Sequence, residues 1–146
     1  MPFRFSLASV LNIREKLEQR ELLLLERRYA ELATAQGKLW EVAQNIVRNH
    51  EQQADELKRG TTGFQLQMAI EEAKALEDRR LQLQKKLQEA QKALREQLEN
   101  YRKARQKRDV LEELRQQQLD RYQREQGKIE QRERDELFLL RLQHKQ

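Results

Sequence analysis

Leu57-Lys58-Arg59-Gly60-Thr61-Thr62-Gly63-Phe64-Gln65-Leu66 is the strong break in an otherwise helix-forming chain. Two glycines bracket two threonines. Glycine ends helices and reaches positive φ at little cost, while Thr61 or Thr62 can cap the helix that follows, so the segment reads as a turn between long helices. Gly37 and Gly127 each stand alone within helical pattern, where glycine costs ~1 kcal/mol relative to alanine without ending a helix.

Composition supports long helices on both sides of this turn. Of 146 residues, 38% are charged and 5% aromatic, with four glycines and one proline. So many charged and aliphatic residues with so few breakers indicate long helices or coiled coil. The 37% of apolar residues can line a seam between helices but cannot fill a layered interior. The expected fold is all-α, a long antiparallel two-helix coiled-coil hairpin with an overhanging C-terminal helix. It forms a single domain over 1–146, with helix one at about 7–59, the turn at about 60–64 and helix two at about 65–144.

The seam is legible as a periodicity. Leu11, Leu25, Leu32, Leu39 and Ile46 fall at multiples of seven, with Glu18 interrupting the column and Ala35 and Val42 three residues beyond Leu32 and Leu39. Helix two answers with Leu76, Leu83, Leu87, Ala90, Leu94, Leu98 and Tyr101. A short turn makes the helices antiparallel neighbours. Folding about Gly60–Gly63 pairs positions whose numbers sum to roughly 123, which sets Leu25 near Leu98. At its start, Ser6 is the expected N-cap, with Phe5 and Val10 as a hydrophobic staple.

That register gives a paired length of roughly 80 Å and leaves roughly 40 Å of helix two as an overhang. The overhang keeps an apolar stripe of Leu119, Tyr122, Ile129, Leu137 and Leu140. A helix with such a stripe needs a partner, either another copy or a foreign protein.

Several kinds of chemistry find no support. There is no cysteine, and His50 and His144 stand in no metal-ligand spacing. Phosphate-binding loops and nucleophile motifs are absent, and a two-helix hairpin offers no water-excluding cleft, so no catalytic residue and no cofactor are expected. The apolar runs Leu22 to Leu25 and Leu137 to Leu140 are far below the ~20 residues of a membrane span. No secretory signal is expected at the opening. These features read as a soluble intracellular protein. The formal charge is +5, with 30 basic and 25 acidic residues interleaved, which permits a nucleic acid, an anionic membrane or an acidic protein as partner and selects none of them. The basic run from Tyr101 to Asp109 could contact phosphates, but nearby Glu96, Glu99, Glu112 and Glu113 and the seam residues running through it favour a solvated helix face.

Phe3-Arg4-Phe5, followed by Leu7, Val10, Leu11, Ile13, Arg14 and Glu18, resembles the F-x-F-x-x-(x)-L-L-x-(L/I)-(K/R) opening of the flagellar FliJ family, soluble components of the bacterial flagellar type III export apparatus. In the distal helix, Arg108, Leu111, Leu114, Tyr122, Glu125, Glu130, Glu133 and Asp135-Glu136 are similar to that family's closing pattern. The resemblance covers nearly the whole chain, including its length and the glycine turn.

The resemblance implies a hairpin similar to the rotor γ subunit of rotary ATPases. It implies a non-enzymatic protein that binds and stimulates the hexameric export ATPase FliI, binds the cytoplasmic part of the export gate protein FlhA, and escorts export chaperones. It implies a cytoplasmic location, peripheral to the cell membrane at the flagellar basal body, with no nucleic acid as partner. In a γ-like arrangement the chain ends enter the ATPase ring. Phe5, Leu7, Arg14, Leu22, Leu23, Leu24, Leu25 and Arg27 would then face its subunits, together with Leu119, Tyr122, Ile129 and Leu137 of the distal helix. The turn end would face the gate, with Leu39, Val42, Ile46, Met68, Ala75 and Arg79 as candidates; the aliphatic members among them can equally pack in the seam. The alternative reading is a nucleic-acid-binding or structural coiled coil.

Overall fold

The chain forms helix α1, Ala8–Arg59, and helix α2, Gly63–His144, in a computed structural model that describes residues 2–145. The fold is all-α, and the two long helices pack against each other. The connection is short because each of its residues has a defined task. Gly60 follows the last residue of α1 with φ at 89°, a conformation that side chains with a Cβ rarely adopt. Thr62 caps α2, its Oγ1 accepting the Gln65 N–H at 3.2 Å and its carbonyl accepting the Leu66 N–H at 3.0 Å. Gln65 reaches back in turn and accepts the Thr61 hydroxyl at 3.1 Å. Thr62-Gly63-Phe64-Gln65 thus has the spacing of a capping box, and α2 begins at Gly63 because Thr62 is the cap.

The start of α1 differs from the sequence expectation. The Ala8 N–H donates to the Phe5 carbonyl at 3.1 Å, and the Leu7 carbonyl accepts the Leu11 N–H at 2.9 Å. Leu7 therefore occupies the capping position and Ser6 lies in the turn before it. A shift of one residue rotates the inward direction by about 100°. Phe5 and Leu11 are accordingly buried while Val10, the expected staple residue, is exposed.

Packing divides the chain into two units. The first is Glu21–Tyr101, a helical hairpin built around the turn. On α1 its inward positions alternate steps of four and three residues through Leu25, Arg28, Leu32, Ala35, Leu39, Val42, Ile46, Asn49 and Gln53, all buried or half-buried. On α2 they run from Ala69 through Leu76, Leu83, Leu87, Ala90 and Leu94 to Gln97. Leu83, with 1% of its surface accessible, is the most buried of these. The seam is thin, and burial falls off to either side of it as a two-helix contact requires. Gln53 Nε2 donates to the Ala69 carbonyl at 3.0 Å and to Asn49 Oδ1 at 2.9 Å. Further along, Gln97 Nε2 donates to the Glu21 carbonyl at 3.0 Å and to its carboxylate at 2.5 Å. Both cross-helix pairs fall within about five residues of the register expected from the turn, roughly a turn and a half of helix.

The second unit joins the residues up to Arg20 with those from Arg102 onward. Leu11, Arg14 and Glu18 of α1 are buried or half-buried there, as are Ala104, Arg108, Leu111, Arg115, Gln118 and Tyr122 of α2. The Phe3 ring lies 5.6 Å from that of Tyr122, tilted by 47°. Every described residue from Gly127 to Lys145 is exposed. The helix runs through Gly127 without a break.

Candidate functional site

With so little interior, any function must be carried by surface residues, and exposure sorts the candidates. In the unit containing both chain ends, Phe5 is 8% accessible; it packs inward and anchors the opening segment. Leu7 is exposed and Arg14 half-buried. On the distal helix Leu119 and Tyr122 are half-buried, whereas Ile129 and Leu137 are exposed together with Phe138, Leu139, Leu140 and Leu142. Four consecutive apolar residues on a helix point in every direction, so the cluster at Leu137–Leu140 cannot be covered by a single neighbouring helix. Arg141, His144 and Lys145 surround it, giving an apolar patch with a basic rim.

In the hairpin unit, Leu25 is buried and Leu24 half-buried, while Leu22, Leu23 and Arg27 are exposed. The four-leucine run therefore divides into two residues that hold the helices together and two that can meet a partner. The gate candidates divide in the same way. Leu39, Val42 and Ile46 belong to the seam, and Met68, Ala75 and Arg79 are exposed on α2. Steps of seven and four place those three on one face.

The basic run is engaged in packing. Arg108 donates from Nε to Glu18 Oε2 at 2.5 Å and lies 3.0 Å from Asp109, while Tyr101 and Ala104 are half-buried. The hydrogen bond to Glu18 raises the guanidinium pKa above its ordinary value, so Arg108 is permanently charged. On the exposed surface of α2, Arg80 pairs with Glu77, and its hydrogen bond holds the Glu77 carboxyl below the usual carboxylate range.

Sequence reasoning places Glu18 in the column as an interruption and misses the other polar members of the seam: Asn49, Gln53, Gln97 and Arg108. These side chains occupy the same columns as the aliphatic residues, and their step of four and three is the available signal. Each is satisfied by a hydrogen bond, as burial demands.

Two open grooves run beside the seam of the hairpin unit. One, of about 660 Å³, includes Arg27, Thr34, Lys38, Lys86 and Ala93; the other, of about 340 Å³, includes Ile46, His50, Ile70 and Glu77. Neither encloses a set of convergent titratable groups of the kind that hydrolytic or transfer chemistry needs. Among the described residues no group of three His, Cys, Asp or Glu could hold a metal ion, and no helix is long and apolar enough to cross a membrane.

A protein-family model described as "Flagellar FliJ protein" matches residues 3–146. No curated protein and no solved structure matches the chain.

Proposed function

Because the chain belongs to the flagellar FliJ protein family, with the role in flagellar protein export that membership implies, we propose that it is a binding component without chemistry of its own. In this reading it engages the hexameric export ATPase FliI, raises its hydrolysis rate, and links the ring to the export gate protein FlhA, with export chaperones as further partners. It works in the cytoplasm beside the membrane at the flagellar base. The distal part of α2 is the overhang of a coiled-coil hairpin and supplies the main ATPase-binding surface.

The observation that carries this reading is the uninterrupted exposure of residues 127–145 around Leu137, Phe138, Leu139 and Leu140. Large apolar side chains in water are a cost that a partner removes, at about 25 cal/mol per Å² covered. Leu7, Leu22 and Leu23 are exposed on α1 and add apolar area toward the same ATPase. Exposed arginines beside such leucines tune encounter more than affinity, since an exposed ion pair contributes about 0.2–1 kcal/mol.

Met68, Ala75 and Arg79 form the proposed gate-binding face. Binding of the full chain to the purified cytoplasmic part of FlhA tests it. Met68→Ala with Arg79→Ala lowers affinity while circular dichroism stays unchanged; unaltered affinity removes this face from the account. Removal of residues 127–146 abolishes co-sedimentation with FliI and leaves FlhA binding intact.

A further inference from the structure

The seam of the hairpin unit stops short of its turn. Gln53 and Ala69, joined by a hydrogen bond at 3.0 Å, are the half-buried residues nearest the turn on their helices. Beyond them, from 54 to 68, every residue except Thr61 is exposed. Leu57, Phe64 and Leu66 fall in this tip, with 59%, 75% and 38% of their surfaces accessible. Phe64 is the most exposed large apolar side chain among the described residues. A short polar turn would join two helices equally well, so nothing in the packing of the hairpin calls for a phenylalanine there.

The charges of the tip are ordered by sign. Gly60–Ile70 is the longest stretch of the chain without a charge, in a sequence of which 38% is charged. Immediately before it stand Lys58 and Arg59, the basic residues of the last turn of α1, and the first turn of α2 carries no acid. Asp55 and Glu56 lie further from the helix end by about 5 Å. The cations are therefore the outermost charges, beside the exposed apolar side chains.

We propose that this tip inserts into the headgroup layer of an anionic lipid membrane, with Phe64, Leu57 and Leu66 entering the interface and Lys58 and Arg59 pairing with lipid phosphates. An apolar end collared by cations is complementary to such a layer in both polarity and charge. The shape favours lipid over an acidic protein. A specific protein interface buries about 1,200–2,000 Å² with matched surfaces, and three side chains at the convex end of two helices offer far less. A fluid bilayer needs no matching cavity and closes around whatever enters it. With so few anchors the attachment is weak and reversible, below the association constant of about 10⁴ M⁻¹ of a single myristoyl chain.

Flotation of the full chain with vesicles tests the proposal, using phosphatidylcholine alone and an equal mixture of phosphatidylcholine and phosphatidylglycerol. Binding is expected with the mixed vesicles only, half-complete above about 0.1 mM lipid and weakened by salt. Phe64→Glu, and Lys58→Gln with Arg59→Gln, each lower it about fivefold or more with helicity unchanged. Phe138→Ser with Leu139→Ser, in the other exposed apolar cluster, leaves it unaltered. The chain has one tryptophan, so Phe64→Trp in a Trp40→Phe chain reports from the tip, and its emission should shift to the blue with the mixed vesicles. Absence of flotation up to about 5 mM lipid overturns the proposal. So does binding that survives Phe64→Glu, binding lost instead in the Phe138 and Leu139 variant, or a tip emission that shifts only when a protein is added.

Discussion

Arg108 on α2 holds Glu18 on α1 with two hydrogen bonds, Nε to Oε2 at 2.5 Å and Nη2 to Oε1 at 3.4 Å. The pair stands in seam positions on both helices, where an aliphatic residue would otherwise pack. Polar pairs in such positions hold helices at one register, since a slip of one heptad separates donor from acceptor.

Glu18→Gln is expected to lower stability by about 1–2 kcal/mol, the range for a hydrogen bond to a charged group discounted for partial exposure. Thermal melting measures it. Arg108→Lys should recover only part of the loss in Arg108→Ala, because an ammonium cannot reproduce the planar fork. The folded pKa of Arg108 is raised. Its contribution is therefore complete below the ordinary guanidinium range and is lost only as pH rises through the raised value. Titration of Arg108 itself should leave the melting temperature unchanged around neutrality.

The turn makes a second prediction. Gly60→Ala forces a Cβ into the positive-φ region and costs about 1–2 kcal/mol. Thr62→Ala removes the cap of α2 and costs about 1 kcal/mol. Urea denaturation should show both losses with an unchanged m-value; an increase in stability for Gly60→Ala would contradict the turn geometry.

Leu83 and Leu23 differ in environment though not in chemistry. Leu83→Ala opens a cavity at the most buried position and should cost about 2–4 kcal/mol. Leu23→Ala, on a residue 66% accessible, should change stability by less than about 0.5 kcal/mol. Comparable losses for the two would place the seam elsewhere.

Glu77 gives a pH-dependent prediction. Its pKa is lowered in the folded chain by the hydrogen bond from Arg80, so its contribution is present above the unfolded glutamate value and is lost as pH falls through the lower folded one. The wild-type chain should melt slightly above Glu77→Gln near neutrality, and the gap should close in acid. Salt should narrow it too, because the pair is exposed.

The turn, the two helices and the aliphatic columns were readable because each rests on local chemistry. Gly60 acts through its own backbone and Thr62 through a side chain that reaches only three residues on, and Leu25, Leu32 and Leu39 on α1, like Leu76 and Leu83 or Leu87 and Leu94 on α2, repeat at steps of seven. The polar seam was not readable by the same means. Gln97 and Asn49 look like surface residues until the facing helix is placed, and what makes them interior is the carbonyl of Glu21 or the amide of Gln53 across or along the helix. The start of α1 was misjudged for a related reason. Ser6 has the better intrinsic capping side chain, but burial of Phe5 and Leu11 sets the helix phase, and apolar burial outweighs one cap. Among the candidate binding residues, Leu22 to Leu25 look alike in sequence. Only the facing helix separates Leu25, which is buried, from Leu23, which is not.

The most direct measurement is phosphate release by purified FliI titrated with the full chain, with a chain ending at Gln126, and with Leu22→Ser/Leu23→Ser. Both alterations spare the buried seam, so circular dichroism and melting of the remaining hairpin should stay close to wild type. The account predicts that the full chain accelerates hydrolysis, saturating at one chain per hexamer, that the shortened chain does not, and that the double serine variant needs a higher concentration. Full stimulation by the chain ending at Gln126 would contradict the claim that the exposed distal helix is the ATPase-binding surface.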